Sequence, residues 1–134
     1  MAKSFFLEII TPYKKIFADD AEMIIFKTPE GEMAVLSGHM PLVAAVSIGQ
    51  IRIKKNDEWL EAFVSEGFIK IGGDKTTLIV DTAEWPDEID VNRANAAAER
   101  AREKLQMQLS NKEFATYQAA LQRAMVRLKI KRRS

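Results

Sequence analysis

The sequence predicts an α+β protein in two parts, an antiparallel β-sandwich over residues 1–85 followed by an antiparallel α-helical hairpin over residues 86–134. Three observations lead there. Short apolar runs with strand character fill the first 85 residues and are split by turn signals at close intervals. After Trp85-Pro86 the apolar period changes from that of a strand to that of a helix. Further on, "SNKE" sets Ser110 three residues before Glu113, the pattern of a capping box that opens a second helix.

Within the first part, "SFFLEII" alternates imperfectly, and "EMIIFKTPEGEMAVL" reads as two runs around the turn Pro29-Glu30-Gly31. "GQIRIKK" alternates cleanly. "WLEAFVSEGFIKIGGDKTTLIVD" reads as three strands, divided at Glu66-Gly67 and at Gly72-Gly73-Asp74. About eight to ten short strands at this spacing favour a sandwich. No segment here has the length of a crossover helix, so a parallel α/β layout is not expected.

In the second part, Val91, Ala94, Ala98, Ala101 and Leu105 share one face of a first helix. Phe114, Tyr117, Leu121, Ala124 and Leu128 share one face of the second. A few polar residues between them make the pair an antiparallel hairpin. Apolar burial is worth roughly 25 cal/mol per Å², and alanine brings little area. Short isolated helices are marginal in water. Either the small side chains simply let the helices pack closely, or the hairpin leans on the sandwich, a ligand or another protein.

A chain of 134 residues suits one domain, or one domain with an appendage. It is 47% hydrophobic and 29% charged, enough apolar material for a core. With no cysteine, a disulfide framework and a thiolate metal site are both excluded. The start "MAKSFFLEII" meets Glu8 too early for a signal peptide. Since no segment approaches the roughly 20 apolar residues of a membrane helix, a soluble chain is expected, reaching any membrane through a partner. The net charge of +1 hides a division. Residues 1–88 hold 9 Lys and Arg against 15 Asp and Glu, a net −6, whereas residues 89–134 hold 11 against 4, a net +7. Such asymmetry fits two surfaces with different partners, or a solvated basic helix face.

The residues offer little for catalysis. His39 is the lone histidine, in "LSGHMPL", and a loop histidine of this kind is usually structural. Gly72-Gly73-Asp74 reads as a hairpin turn rather than a phosphate loop. No carboxylate pair stands out as acid and base, and no metal-ligand cluster is visible. The basic tail "RLKIKRRS" lacks the interleaved aromatics of a single-strand binder, and the acidic sandwich would repel a phosphate backbone, so nucleic acid is not expected as a partner. Positive charge at a helix C-terminus also favours the helix dipole by itself.

The helical arginines are more specific. Arg93 and Arg100 lie about 20° apart around the first helix, on the flank of the alanine seam. Arg123 and Arg127, four residues apart, are neighbours on the second. In an antiparallel hairpin the four guanidinium groups converge. Their forks suit phosphate oxygens, and together they repel one another unless an anion intervenes. Four solvated surface arginines is the plainer alternative.

Across Gly31, Val35, Leu36, His39, Pro41, Leu42 and Gly49, "EGEMAVLSGHMPLVAAVSIGQIRI" resembles the signature of the epsilon subunit of the bacterial F-type rotary ATP synthase. The chain departs from that pattern at Met40, where smaller residues are usual. The order of the two parts resembles that family over the full length. The resemblance implies a non-catalytic subunit of the central stalk, with the sandwich against the gamma subunit and the ring of c subunits, on the cytoplasmic side of the cell membrane and peripheral to it. It implies coupling of ion-driven ring rotation, by protons or other ions, to ATP synthesis. The hairpin would lie folded on the sandwich or extend along gamma to restrain ATP hydrolysis, its basic tail meeting acidic segments of the catalytic alpha and beta subunits. Some members carry a nucleotide motif, Ile/Leu-Asp-x-x-Arg-Ala, which stands here as Ile89, Asp90, Arg93 and Ala94 around Val91-Asn92. Glu84, Arg100, Arg123 and Arg127 match the positions that assist it. By resemblance, Glu84 and Asp90 would recognise adenine, ribose or the neighbouring arginines, and the arginines would grip phosphates. ATP would then be held as a regulatory ligand without hydrolysis, with or without Mg²⁺. Two other readings are a stalk subunit whose nucleotide motif is vestigial, and a free-standing ligand-binding sandwich with a helical tail.

Overall fold

A computed structural model describes residues 3–134. Ten strands form two five-stranded sheets. In chain order they are β1 (Phe5–Ile10), β2 (Lys15–Ala21), β3 (Met23–Thr28), β4 (Gly31–Leu36), β5 (Leu42–Val46), β6 (Gly49–Lys55), β7 (Glu58–Val64), β8 (Gly67–Ile71), β9 (Lys75–Val80) and β10 (Ala83–Glu84). The first sheet runs β2-β1-β9-β8-β5 and the second β10-β7-β6-β3-β4. Neighbours are antiparallel except β1 and β9, which pair parallel. No helix is needed for that parallel pair, because the seven strands between them make the return, four of them in the other sheet.

The core is the space between the sheets. Alternation puts Ile51 and Ile53 of β6 inside, fully buried, and leaves Gln50, Arg52 and Lys54 on the outer face. Leu7, Ile9, Ile24, Phe26, Ile69 and Leu78 meet them with no exposed surface. The turns follow local chemistry. Asn56 and Asp57 take φ of 52° and 62°, the left-handed pair that a two-residue hairpin requires between β6 and β7. Gly67 is required by contact: a Cβ there would stand 2.0 Å from the carbonyl oxygen of Ile79. It fixes the point where the chain leaves β7 and enters β8 in the other sheet.

A short 3-10 turn, Pro86–Glu88, leads to α1 (Val91–Leu105) and α2 (Asn111–Arg133). Glu88 ties this linker down, accepting from the backbone N–H of Trp85 at 2.9 Å and from Lys14 Nζ at 2.8 Å. These bonds, the lysine's first, hold its carboxyl below the usual glutamate range. The expected capping box opens α2: Ser110 Oγ accepts from Glu113 N–H at 3.2 Å, and the Glu113 carboxylate accepts from Ser110 N–H at 3.2 Å. Ala94, Ala98 and Ala101 form the buried seam of α1, facing Ala124 and the partly buried Leu121 and Leu128. Phe114, expected on the same face of α2, is about half exposed at the outer end of the hairpin.

The hairpin leans on the sandwich. In β7, Ala62 and Val64 face the core, so Phe63 points outward, yet it has no exposed surface. Ile48, Ile89 and Ile130 close over it, with Ala119 and Val126 at the margin. This second apolar cluster seats α2 on the outer face of the second sheet. Among the described residues, no helix is long and apolar enough to cross a membrane.

Candidate functional site

The motif residues divide by the work they do. Ile89 is 4% exposed and anchors the start of the hairpin in the second cluster. Asp90 caps α1, its Oδ1 accepting from the backbone N–H of Arg93 at 3.1 Å. Ala94 lies in the helix–helix seam. The Arg93 side chain is exposed, and among the described residues neither it nor exposed Arg100 pairs with a carboxylate.

The arginines of α2 are engaged with the sandwich. Arg127 Nε donates to Glu84 Oε1 at 2.7 Å while its guanidinium lies 4.3 Å from the centroid of the Phe63 ring. Three-quarters buried, it combines an ion pair with a cation–π contact. Arg123 Nη1 reaches Glu66 Oε1 at 3.5 Å, a longer and more exposed pair. The row continues along the helix. Lys131 Nζ donates to the carbonyl of Pro86 at 2.9 Å, and Arg133 Nη2 donates to Gln50 and, at 3.3 Å, to Glu61. Residues 123, 127 and 131 recur every four positions, so one stripe of α2 faces the acidic sheet.

Within the chain Glu66 and Glu84 balance two of the four arginines, Arg123 and Arg127. In this folded form the basic tail lies against the sandwich and the linker, Arg133 on Glu61 and Lys131 on the carbonyl of Pro86.

The four arginines nevertheless share one face of the hairpin. Arg102 Nη2 donates to Met125 Sδ at 3.3 Å on one flank of the seam. At 100° per residue, Arg93 and Arg100 lie on the far side of α1 from Arg102, and Arg123 and Arg127 on the far side of α2 from Met125. Both pairs therefore border the other flank, beside the sandwich. A groove of about 390 Å³, lined by Val91, Asn95, Leu128, Lys131 and Arg132, includes none of the four. Guanidinium groups are the chemistry that binds phosphate oxygens. The arginine face has no nucleophile and no paired acid and base. His39 is engaged locally, Nδ1 donating to the carbonyl of Met40 at 2.8 Å. Among the described residues, no cluster of three or more metal-ligating side chains occurs.

Glu66, Glu61, Phe63 and Ile130 escaped the sequence reading. The signal was present for two of them. "AFV" in β7 puts three apolar residues in succession, which marks a strand covered on both faces. Ile130 falls on the arginine stripe rather than on the alanine seam, which marks a second contact face.

Residues 4–86 match the family description "ATP synthase, Delta/Epsilon chain, beta-sandwich domain", and residues 87–132 match "ATP synthase, Delta/Epsilon chain, long alpha-helix domain". An ATP synthase epsilon chain of Ruminiclostridium cellulolyticum is 53% identical over 125 residues, 93% of this chain and 93% of that one. Another, from Caldanaerobacter subterraneus, is 46% identical over 131 residues, 97% of this chain and 95% of that one. Among solved structures, the fold is similar to a chain in the Euglena gracilis mitochondrial ATP synthase assembly of OSCP, F1 and c-ring. The TM-score is 0.79 at 23% identity, over 91% of this chain and 78% of that chain.

Proposed function

The chain belongs to the ATP synthase delta/epsilon family, as an epsilon-type chain that is a non-catalytic part of the complex, and we propose that its hairpin senses ATP and restrains ATP hydrolysis. One observation carries the reading. Among the described residues Arg93 and Arg100 have no carboxylate partner, yet they stand exposed on the same face as Arg123 and Arg127. A polyphosphate bridging the two pairs would join α1 to α2 and both to the sandwich.

In this reading Arg93 and Arg100 grip phosphate directly, Arg123 joins them, and Arg127 with Glu84 holds the floor of the site. Ile89, Asp90 and Ala94 set the position of Arg93 by anchoring, capping and packing. ATP binds the folded hairpin and so stabilises it, by about 2.7 kcal/mol at a hundredfold excess over Kd. When ATP falls, that support is withdrawn and the hairpin can leave the sheet. The stripe Arg123, Arg127, Lys131 and Arg133 then exchanges its carboxylates for acidic segments of the catalytic subunits, where the extended helices act as a brake.

The rest of the molecule suits a rotor part, against gamma and the c ring, peripheral to the cytoplasmic side of the membrane. Strand register lines up Ala45, Phe68, Ile79 and Ile10 as an apolar row across the uncovered outer face of the first sheet. Phe68 and Ile79 are well exposed there, a surface suited to a stalk partner.

A second reading, a vestigial nucleotide site, is favoured by the pairing of Arg123 and Arg127 with carboxylates of the sandwich. Calorimetric titration of ATP into the isolated chain separates the two. Binding heat that saturates at millimolar ATP or below is expected, and its absence leaves only the stalk role.

A further inference from the structure

Arg123 and Arg127 differ in how firmly the sandwich holds them. Arg127 meets Glu84 at 2.7 Å over the face of Phe63, and the glutamate is 28% exposed. Glu66 is 61% exposed, stands 3.5 Å from Arg123 and among the described residues makes no other side-chain bond. The two carboxylates also differ in their support. Glu84 is fixed by the pairing of β10 with β7, opposite Phe63. Glu66 sits in the connection between β7 and β8, and Gly67 beside it is fixed by pairing with Val46 of β5 and Val80 of β9. Glu66 is therefore held at the rim of the arginine face, with only its side chain free to turn.

On the ATP-binding reading of this face, we infer that Glu66 is an affinity-setting residue, occupying Arg123 when the nucleotide is absent and competing with its phosphates. A phosphate that engages Arg123 must displace the carboxylate and then lie near its negative charge. Both effects weaken binding, and neither touches Arg93 or Arg100. Glu66 thus keeps the sensor's affinity low enough for the site to empty as ATP falls, while Arg127 stays locked in the joint. The exchange is a simple trade of one oxyanion for another on a single guanidinium, with no bond made or broken.

The test is calorimetric titration of ATP into the full chain and into its Glu66→Gln and Glu32→Gln variants. Glu32 pairs with Arg52 at 3.6 Å on the same sheet, away from the hairpin, so its loss controls for net charge. Exposed ion pairs of this kind correspond to about a two- to fivefold change in an equilibrium constant. Glu66→Gln should therefore bind ATP about two- to fivefold more tightly, and Glu32→Gln within about twofold of the original chain. An unchanged or weaker constant for Glu66→Gln, or an equal gain from Glu32→Gln, overturns the role of Glu66 while leaving ATP sensing in place. A parent chain that gives no heat with ATP overturns both.

Discussion

Arg93 and Arg127 are alike in charge and assignment but unlike in circumstance, and substitution should separate them. Arg93 is exposed and has no carboxylate partner among the described residues, so its truncation removes no ion pair from the empty protein. Loss of a charge-assisted bond to phosphate corresponds to about 1.5–3 kcal/mol. Arg93→Ala should therefore weaken ATP binding roughly 10- to 100-fold in calorimetry and leave the denaturation midpoint unchanged. Arg127→Ala removes the guanidinium from between Glu84 and the Phe63 ring. It should cost about 1–2 kcal/mol of stability without any nucleotide present, read by denaturant unfolding. Lysine restores the charge there but not the flat surface that stacks, so Arg127→Lys should recover only part of the loss. Equal effects of the two alanine variants on stability would contradict this division.

At the scale of elements, α1 and α2 hold each other through small side chains, and α2 supplies the grip on the sheet. Ile130 is fully buried against Phe63, Ile48 and Ile89. Ile130→Ala should cost about 2–4 kcal/mol. Helical circular dichroism should then be lost at a lower denaturant concentration than the strand signal, because the sandwich core does not depend on this contact. Coincident loss of both would show that hairpin and sandwich fold as one unit. These elements were legible to different degrees in the sequence. The alanine seam and the Ser110–Glu113 box act within a few residues of themselves, so a linear reading finds them. The strands with clean alternation or flanking glycines were equally plain. β2 was hidden by its run Ala18-Asp19-Asp20, tolerated at a sheet edge, and β5 by "LVAAV", which has no alternation. β10 has two residues and exists through its pairing with β7. The carboxylates that answer Arg123 and Arg127 lie 57 and 43 residues away in the chain, a relation created by the docking of α2. No local pattern could carry it.

For the whole molecule, the division of charge into an acidic sandwich and a basic hairpin becomes an internal complement. Glu61, Glu66 and Glu84 face Arg133, Arg123 and Arg127, so the folded form satisfies the charges that an opened hairpin would present to a partner. Apolar seating at Ile130 and the ion pairs then hold one joint, and on the proposed reading ATP across the arginine face is a third hold that varies with the cell's nucleotide. Because the sequence contains no cysteine, a pair can be introduced for labelling at exposed Glu58 on the sandwich and exposed Gln118 on α2 without competing sites. The distribution of distances between those labels, recorded with and without ATP, tests the central claim most directly. Millimolar ATP should collapse it to a single narrow distance, with a second, broader population growing as the nucleotide is removed. A distribution indifferent to ATP would contradict the account.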